Sequence, residues 1–308
     1  MNNFWQKLNK PFYCLAPIAG VSDSAFRQMC KAYGADVVYS EMASVNALSF
    51  APEKTLEMLR FEESERPYVV QLFGSEEGNF EKAVRIIEKE IKPDGIDINF
   101  GCPVPKVAKQ NAGAELAKDL VQSRKVVEVV VKTATVPVSV KIRKKAGDVD
   151  ALQFLDNIKD LDVKAVMIHG RDLKQMHVGE VDAEIIRQAR NHFGGIIIAN
   201  GGVKDLQSAQ DLLIKSGADG LGIAQGAFGK PWIFSEIKSG ELPASVFDVA
   251  LQHAESAFKL RGKTGILEMR KHLCWYVQGL PGARKIREEF VRVETIEDIR
   301  NIIKKNVQ

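Results

Sequence analysis

Short apolar stretches rich in β-branched residues recur eight times in this chain, with helical patterns between them. The stretches cover residues 12–18, 36–42, 68–73, 95–100, 138–142, 165–169, 195–200 and 219–224. Near-continuous hydrophobicity is typical of parallel strands that helices cover, and intervening segments such as 81–92 and 206–216 carry the period of amphipathic helices. This alternation predicts an α/β fold, specifically a TIM (β/α)8 barrel.

The pattern changes after Pro243, where only amphipathic helical segments remain, for example 246–260 and 266–277. A chain of 308 residues with 45% hydrophobic content can bury one large core and a small additional one. We therefore predict two domains, a barrel over residues 1–240 and a small all-helical domain over residues 241–308.

The net charge is only +3, and the whole excess lies in the predicted helical domain, where 12 Lys and Arg accompany 9 Asp and Glu. This mild basic excess suits RNA binding, although a solvated helix face accounts for it equally well. The first ten residues lack the apolar segment and cleavage site of a secretory signal, and no run of about 18 apolar residues occurs. We expect a soluble protein that stays in the cytoplasm.

The four cysteines lie far apart without C-x-x-C spacing, which indicates reduced thiols rather than a disulfide or a metal site. Cys14, Cys30 and Cys274 fall within strand or helical patterns and are expected to fill the core. Cys102 differs, because it follows the stretch 95–100 and stands between a glycine and a proline, where strand packing ends. Since barrel active sites form at the carboxyl ends of the strands, Cys102 is a candidate catalytic thiol.

In five of the predicted strands the last or nearly the last residue is polar, and these residues are Gln71, Asn99, Lys141, His169 and Asn200. One such group alone could be a capped or ion-paired residue of the rim. Five at equivalent positions are better explained by a bound polar ligand, because an uncompensated buried polar group costs roughly 1–3 kcal/mol.

Glycine-rich segments follow the last two predicted strands, where barrels of this class commonly bind phosphate. Asn200-Gly-Gly202 leads into a helical pattern, and further glycines stand at positions 220, 222, 226 and 229. Glycine lets backbone N–H groups approach an anion, and a helix N-terminus favours negative charge. Ordinary tight turns would explain either segment alone. The spacing does not match the dinucleotide fingerprint, so we predict no permanently bound NAD.

Motifs along the whole chain resemble those of the dihydrouridine synthases. They are Leu15–Asp23, Gln71–Gly74, Asp97–Pro103, Val140–Arg143, His169–Arg171 and Pro231–Phe234, and Met269–Tyr276 is similar to the bacterial B-type branch. The elements Asn-x-Gly-Cys-Pro and His-Gly-Arg are the most specific of these. The resemblance implies an FMN enzyme that reduces a uridine in folded RNA, normally in the D-loop of tRNA and alternatively in rRNA, with NADPH or NADH as the transient reductant.

The resemblance also implies roles for individual residues. Cys102 matches the general acid that protonates C5 of the uracil while hydride passes from flavin N5 to C6, and Asn99 matches the residue that holds the uracil. Lys109 and Arg171 match positions near the substrate or phosphate. The positions that the resemblance puts around the flavin are those of Ala16, Pro17, Ala19, Gln71, Lys141, His169, Asn200, Gly201, Gly202, Ala224 and Gln225. A thiol with an ordinary pKa near 8.5 is mostly protonated at neutral pH, as an acid requires.

Two departures from the family pattern fall in the phosphate segments. Asn200-Gly-Gly202 stands where the family usually has Asn-Gly-Asp, and Ile223-Ala-Gln-Gly226 stands where it has Ile-Gly-Arg-Gly. Because Gln225 lacks the charge of an arginine, we expect either weaker flavin binding or another basic residue in its place.

The basic residues of the predicted helical domain are expected to bind tRNA phosphates. They are Arg270, Lys271, Arg284, Lys285 and Arg287, with the last three as the principal candidates. Two alternatives stay open. A flavin barrel that acts on free pyrimidines would use similar chemistry without need of a basic helical domain, and a non-catalytic RNA-binding protein could retain the scaffold. No protein or membrane partner is evident.

Overall fold

A closed barrel of eight parallel strands forms the larger part of the computed structural model, which describes residues 3–306. The strands of the chain are β1 (Phe12–Leu15), β2 (Val37–Tyr39), β3 (Ala43–Ser44), β4 (Tyr68–Phe73), β5 (Gly95–Asn99), β6 (Val138–Arg143), β7 (Lys145–Ala146), β8 (Val149–Asp150), β9 (Ala165–His169), β10 (Ile196–Asn200) and β11 (Gly220–Ile223). β2 pairs with both β1 and β4 and thereby closes the barrel. All eight predicted stretches form its strands, so the predicted TIM barrel is confirmed.

Three short strands were absent from the prediction. β3 extends the edge of β4, and β7 and β8 form a two-stranded antiparallel hairpin after β6. Each has only two residues, which is too short for an alternating or continuous apolar pattern to be recognised.

Helices alternate with the barrel strands along the chain. They are α1 (Ser24–Ala32), α2 (Val45–Phe50), α3 (Glu53–Leu59), α4 (Glu77–Glu90), α5 (Pro105–Ala108), α6 (Leu120–Thr133), α7 (Ala151–Ile158), α8 (Ala183–Gln188), α9 (Leu206–Ser216) and α10 (Ile233–Ser239). Five of them start at an aspartate whose carboxylate accepts a backbone N–H of the first turn, namely Asp23, Asp119, Asp150, Asp182 and Asp205. Such caps satisfy donors that the helix itself leaves free.

The chain after the barrel is helical, with α11 (Val246–Tyr276), α12 (Ala283–Phe290) and α13 (Ile296–Asn306). Gly262 interrupts α11 with φ 55° and ψ −136°, a conformation that glycine adopts readily. The two predicted segments 246–260 and 266–277 correspond to the parts of α11 on either side of this break.

The helical region shares an apolar core with the barrel. Ala25 and Met29 of α1 and Trp232 before α10 pack in one cluster with buried residues such as Leu273 and Phe290. The predicted boundary near residue 240 follows the end of α10, and residues 1–2 and 307–308 of the predicted domains lie outside the described part. None of the helices within residues 3–306 is long and apolar enough to span a membrane.

Candidate active site

A cavity of about 450 Å³ opens at the carboxyl ends of the barrel strands, within the size range of small-molecule sites. It brings together most of the residues that the sequence predicts for a site. These are Ala16, Pro17, Ala19, Gln71, Asn99, Cys102, Lys141, His169, Arg171, Asn200, Gly201, Gly202, Ala224 and Gln225. The polar strand ends and the two glycine-rich segments therefore line one cavity.

The other predicted substrate residues lie outside the cavity wall. Lys109 is exposed just after α5. Arg284, Lys285 and Arg287 are exposed on α12, which buries its opposite side in the helical core. These four side chains can contact only parts of a ligand that extend beyond the cavity.

Strand register explains why the polar side chains meet. β5 lies beside β4 with Asp97 opposite Gln71, and beside β6 with Asn99 opposite Lys141. Farther around the barrel, His169 lies opposite Asn200. Because residues two apart on a strand share a face, the register brings these polar groups together at one end of the barrel.

Cys102 is half-buried in the cavity wall, and its backbone is firmly held. The side-chain oxygen of Asn99 accepts the N–H groups of Gly101 and Cys102 at 3.0 and 2.9 Å, and the carbonyl of Cys102 accepts the N–H of Ala114 at 3.0 Å. Burial raises the pKa of the Cys102 thiol above its ordinary value. The thiol is therefore protonated at neutral pH and can donate a proton into the cavity.

A chain of buried hydrogen bonds lies beneath Cys102. Nδ2 of Asn99 donates to Oε1 of Gln71 at 2.8 Å, and Nε2 of Gln71 donates to Oδ2 of Asp97 at 2.7 Å. The other oxygen of Asp97 accepts the hydroxyl of Ser139 at 2.6 Å. Burial raises the pKa of Asp97 to about 6. The chain thus links the loop of Cys102 to a carboxylate that lies outside the cavity wall.

Lys141 and His169 line the cavity at the carboxyl ends of β6 and β9, the next two strands after β5 in the barrel. Nζ of Lys141 lies 3.2 Å from Oδ1 of Asn200, whose amide nitrogen donates to the carbonyl of Gly222 at 2.6 Å. Burial, together with the nearby Arg143 guanidinium, lowers the pKa of Lys141 to about 8. Burial, together with the surrounding cations, lowers the pKa of His169 to about 2, so its imidazole is neutral at neutral pH.

The cavity is electropositive. Its wall contains the cationic side chains of Lys141, Arg143, Arg171 and Lys204, and within the described residues it contains no Asp or Glu. Nε of Arg171 donates to the carbonyl of Gly179 at 2.9 Å, and no carboxylate of the described residues forms an ion pair with this guanidinium. Such a wall favours an anionic ligand.

Arg143 connects two loops at the cavity mouth. Its Nε donates to the carbonyl of Gly101 at 2.8 Å, and its Nη1 donates to the carbonyls of Asp172 and Met176 at 2.9 and 3.0 Å. The segment 172–180 is thereby fixed over the cavity, where His177 lies with its ring centroid 5.9 Å from that of His169.

Several residues of the cavity wall were not predicted as site residues, among them Arg143, His177, Lys204 and Phe228. The position of Arg143 carried a usable signal, because it stands two residues after Lys141 and therefore on the same strand face. His177 and Phe228 lie in irregular loops, where no periodicity indicates which side chains turn inward.

The sequence of the protein matches that of a known family along nearly its whole length. The model of the family described as dihydrouridine synthase (Dus) matches residues 14–308. The tRNA-dihydrouridine synthase B of Pseudomonas aeruginosa is 32% identical over 292 residues, which cover 91% of this chain and 88% of the relative. The probable tRNA-dihydrouridine synthase of Helicobacter pylori is 33% identical over 299 residues, which cover 96% of this chain and 90% of the relative.

Solved structures support the fold. An old yellow enzyme homologue from Zymomonas mobilis has a TM-score of 0.53 at 13% identity and covers 78% of this chain and 92% of its own. Histamine dehydrogenase from Rhizobium has a TM-score of 0.54 at 11% identity and covers 81% of this chain and 48% of its own. The barrel, the cavity and the sequence match agree with the resemblance of the motifs, and the chain belongs to the dihydrouridine synthase family.

Proposed function

We propose that this protein reduces the C5=C6 bond of a uridine in tRNA to give dihydrouridine, with a flavin as cofactor. Two similar proteins are named tRNA-dihydrouridine synthase B and probable tRNA-dihydrouridine synthase. The observation that carries the proposal is the position of Cys102, a protonated thiol in the wall of an electropositive cavity at the mouth of the barrel.

The residues present fit an FMN phosphate. Four cations line the cavity without an acidic residue among the described wall residues, and Gly201 and Gly202 have φ angles of 111° and 75°. A Cβ at Gly201 would lie 2.8 Å from the ring of His169, so a side chain there would be both strained and in collision. Glycine at this point leaves the backbone open to an anion. A bound flavin would supply the hydride equivalent for C6.

Gln225 lacks the positive charge of the arginine that the family usually has at this position, and Arg171 is our candidate for the cation that binds the phosphate instead. A Cβ at Gly202 would lie 3.8 Å from Nη2 of Arg171, so the guanidinium lies beside the proposed phosphate loop. Lys204 lines the same part of the cavity. We propose that Arg171, with Lys204, binds the phosphate of the cofactor, and that Lys141 and His169 contact other polar groups of the flavin.

The contribution of Cys102 is a proton. Addition of hydride at C6 leaves negative charge on the uracil, which the S–H proton neutralises at C5, and the resulting thiolate takes a proton from water. The raised pKa of Cys102 keeps the proton available at neutral pH. Lys141 and Arg143 also lie close enough to favour the thiolate that forms.

Asn99 holds the uracil as a hydrogen-bond donor. Its side-chain oxygen already accepts two backbone N–H groups, and one amide hydrogen is used by Gln71. The other meets only the sulfur of Met42 at 3.8 Å, which is a weak acceptor. Asn99 can therefore offer one N–H to a carbonyl oxygen of the base.

Substrate RNA reaches the cavity by extrusion of the target nucleotide, because a stacked uridine cannot enter it. Contacts far from the base must offset the cost of unstacking. Among the described residues Lys285 and Arg287 form no ion pair. Arg270 and Lys271, by contrast, already donate to the backbone carbonyls of Val293 and Gly20. We therefore propose that α12 binds tRNA phosphates. We also propose that NADPH or NADH enters only transiently.

The test is nucleoside analysis of tRNA from cells that lack the gene. Incubation with the purified protein, FMN and NADPH should restore dihydrouridine in that tRNA, whereas free uridine, uracil and orotate should stay unreduced. Turnover of the free pyrimidines at the rate of tRNA would favour a pyrimidine reductase. A protein that binds tRNA but takes up no flavin at micromolar concentration would contradict any enzymatic role.

A further inference from the structure

Asp97 is a buried charge close to the candidate active site but outside its wall. The residue is 0% exposed, and its carboxylate contacts the amide of Gln71 and the hydroxyl of Ser139. It forms no ion pair among the described residues. Both hydrogen-bond partners of this desolvated acid are neutral, and Lys141 is a nearby charge that favours its ionised form without an ion pair. Burial of an acid with such partners costs free energy.

The ionised carboxylate determines the orientation of each amide above it. A carboxylate can only accept hydrogen bonds, so Gln71 must turn its NH2 group towards Asp97 and its oxygen towards Asn99. Asn99 must in turn direct its NH2 group to Gln71 and its oxygen to the N–H groups of Gly101 and Cys102. Reversal of either amide would place two donors or two acceptors against each other.

We propose that Asp97 is a positioning residue, which acts through Gln71 and Asn99 to fix the loop of Cys102 and to make Asn99 a donor towards the base. This inference rests on the proposed function for its consequence in catalysis, but the positioning itself concerns the protein alone. Asp97 does not touch substrate or cofactor in this scheme.

Fold stability alone does not account for an acid at this position. An asparagine could accept from Gln71 with its oxygen and donate to Ser139 with its nitrogen, without the cost of a buried charge. The asparagine could also adopt the reversed orientation, in which it donates to Gln71. Only a carboxylate excludes the reversed set of hydrogen bonds. The acid is therefore needed to fix which end of the Gln71 and Asn99 side-chain amides donates and which accepts.

The decisive variant is Asp97→Asn. We expect its resistance to thermal and denaturant unfolding at neutral pH to equal or exceed that of the parent. Its kcat for tRNA reduction should fall about 10- to 100-fold, as when an outer partner that orients a functional side chain is lost. Glu65→Gln is the matched control, because Glu65 is equally buried but paired with Arg27 at 2.5 Å. That variant should lose stability and keep the kcat of the molecules that remain folded.

A second measurement is independent of enzymatic activity. Alkylation by iodoacetamide, followed peptide by peptide, reports the accessibility of Cys102 against half-buried Cys274 in the same molecule. In Asp97→Asn the ratio of the two rates should change about threefold or more, the size of a modest coupling between contacting residues. In an Asn99→Ala background, Asp97→Asn should leave this ratio unchanged, because the path to the loop is already interrupted.

The outcomes separate this inference from the proposed function. The positioning role would be overturned if Asp97→Asn left the ratio of the Cys102 and Cys274 alkylation rates unchanged. It would also be overturned if Asp97→Asn changed this ratio as much in the Asn99→Ala background as in the parent. A loss of stability with unaltered kcat would also overturn it and leave Asp97 a structural residue. If the parent protein forms no dihydrouridine at all, the proposed function fails, while the alkylation ratios still decide the role of Asp97.

Discussion

The ring of Trp275 stacks on that of Phe228 with their centroids 4.3 Å apart and their planes 13° from parallel. Phe228 lines the cavity, whereas Trp275 belongs to α11 of the helical region. This contact therefore joins the part that would bind RNA directly to the wall of the site where the base would react.

Trp275→Ala should uncouple these two parts. Because Trp275 is only partly buried, we expect a loss of less than about 3 kcal/mol in the free energy of unfolding, below the range for fully buried aromatic side chains, and a raised KM for tRNA. Trp275→Phe keeps an aromatic ring on Phe228 and serves as the control. A Trp275→Ala protein with the parental KM for tRNA would show that the stacked pair has no part in RNA docking.

Cys102→Ala should separate proton donation from flavin binding. The variant should bind FMN as the parent does and still be reduced by NADPH, because the thiol acts only on the uracil. Dihydrouridine formation should drop by roughly 10²–10⁴, the contribution of a positioned general acid. Cys274→Ala, at the other half-buried cysteine, should retain activity. Near-parental product formation by Cys102→Ala would remove the thiol from the mechanism.

Arg171→Ala should weaken binding of FMN but not of riboflavin, which lacks the phosphate. A hydrogen bond to a charged group is worth about 1.5–3 kcal/mol, so the Kd for FMN should rise about tenfold to 100-fold, as measured by quenching of flavin fluorescence. Gln225→Arg should act in the opposite direction and tighten FMN alone. Equal weakening of both flavins in Arg171→Ala would place this residue elsewhere in the site.

Charge reversal on α12 tests the RNA surface within the intact chain. The triple variant Arg284→Glu, Lys285→Glu and Arg287→Glu should raise the KM for tRNA and reduce the salt dependence of binding, with flavin reduction unaltered. The control is a triple variant with Lys→Glu at the exposed residues Lys89, Lys125 and Lys132, which lie on α4 and α6. Equal KM values for the two triple variants would exclude α12 as the docking surface.

Acid should destabilise the interface between α1 and α11. His253 and His272 are fully buried there beside Phe26. Burial lowers the pKa of His253 to about 4 and that of His272 well below its ordinary value. Below pH 6.5 these histidines bind protons in the unfolded chain but not in the folded chain. The free energy of unfolding therefore decreases as pH falls below 6.5, by up to about 1.4 kcal/mol per pH unit for each histidine.

His272→Leu should flatten this dependence. Between pH 6.5 and 5, unfolding monitored by circular dichroism should show a smaller decrease in Tm for the variant than for the parent. The surrounding charges are Asp23, which favours the protonated form of His253, and Lys271, which opposes it for both rings. An identical pH profile in the variant would mean that His272 does not contribute to acid sensitivity.

The barrel was predictable because its strands are buried on both faces and are therefore continuous apolar stretches in the sequence. The polar ends of those strands also located the cavity, since parallel strands present their carboxyl ends together. The orientation of Gln71 was not predictable, because its partner Asp97 lies on the neighbouring strand and the two meet only through register. Sequence spacing could not predict the position of His177 either. That position depends on the hydrogen bonds from Arg143 to the two carbonyls of the loop that carries His177.

The apolar core that α1 shares with the helical region constrains how members of this family can diverge. Ala25 and Met29 belong to the first helix of the barrel, yet they lie in one apolar cluster with Leu273 and Phe290 from the far end of the chain. A chimera that received the carboxyl-terminal helices of a relative would have to receive a compatible surface of α1 as well. New tRNA preferences gained by recombination of that region would therefore be inherited together with substitutions more than 200 residues upstream.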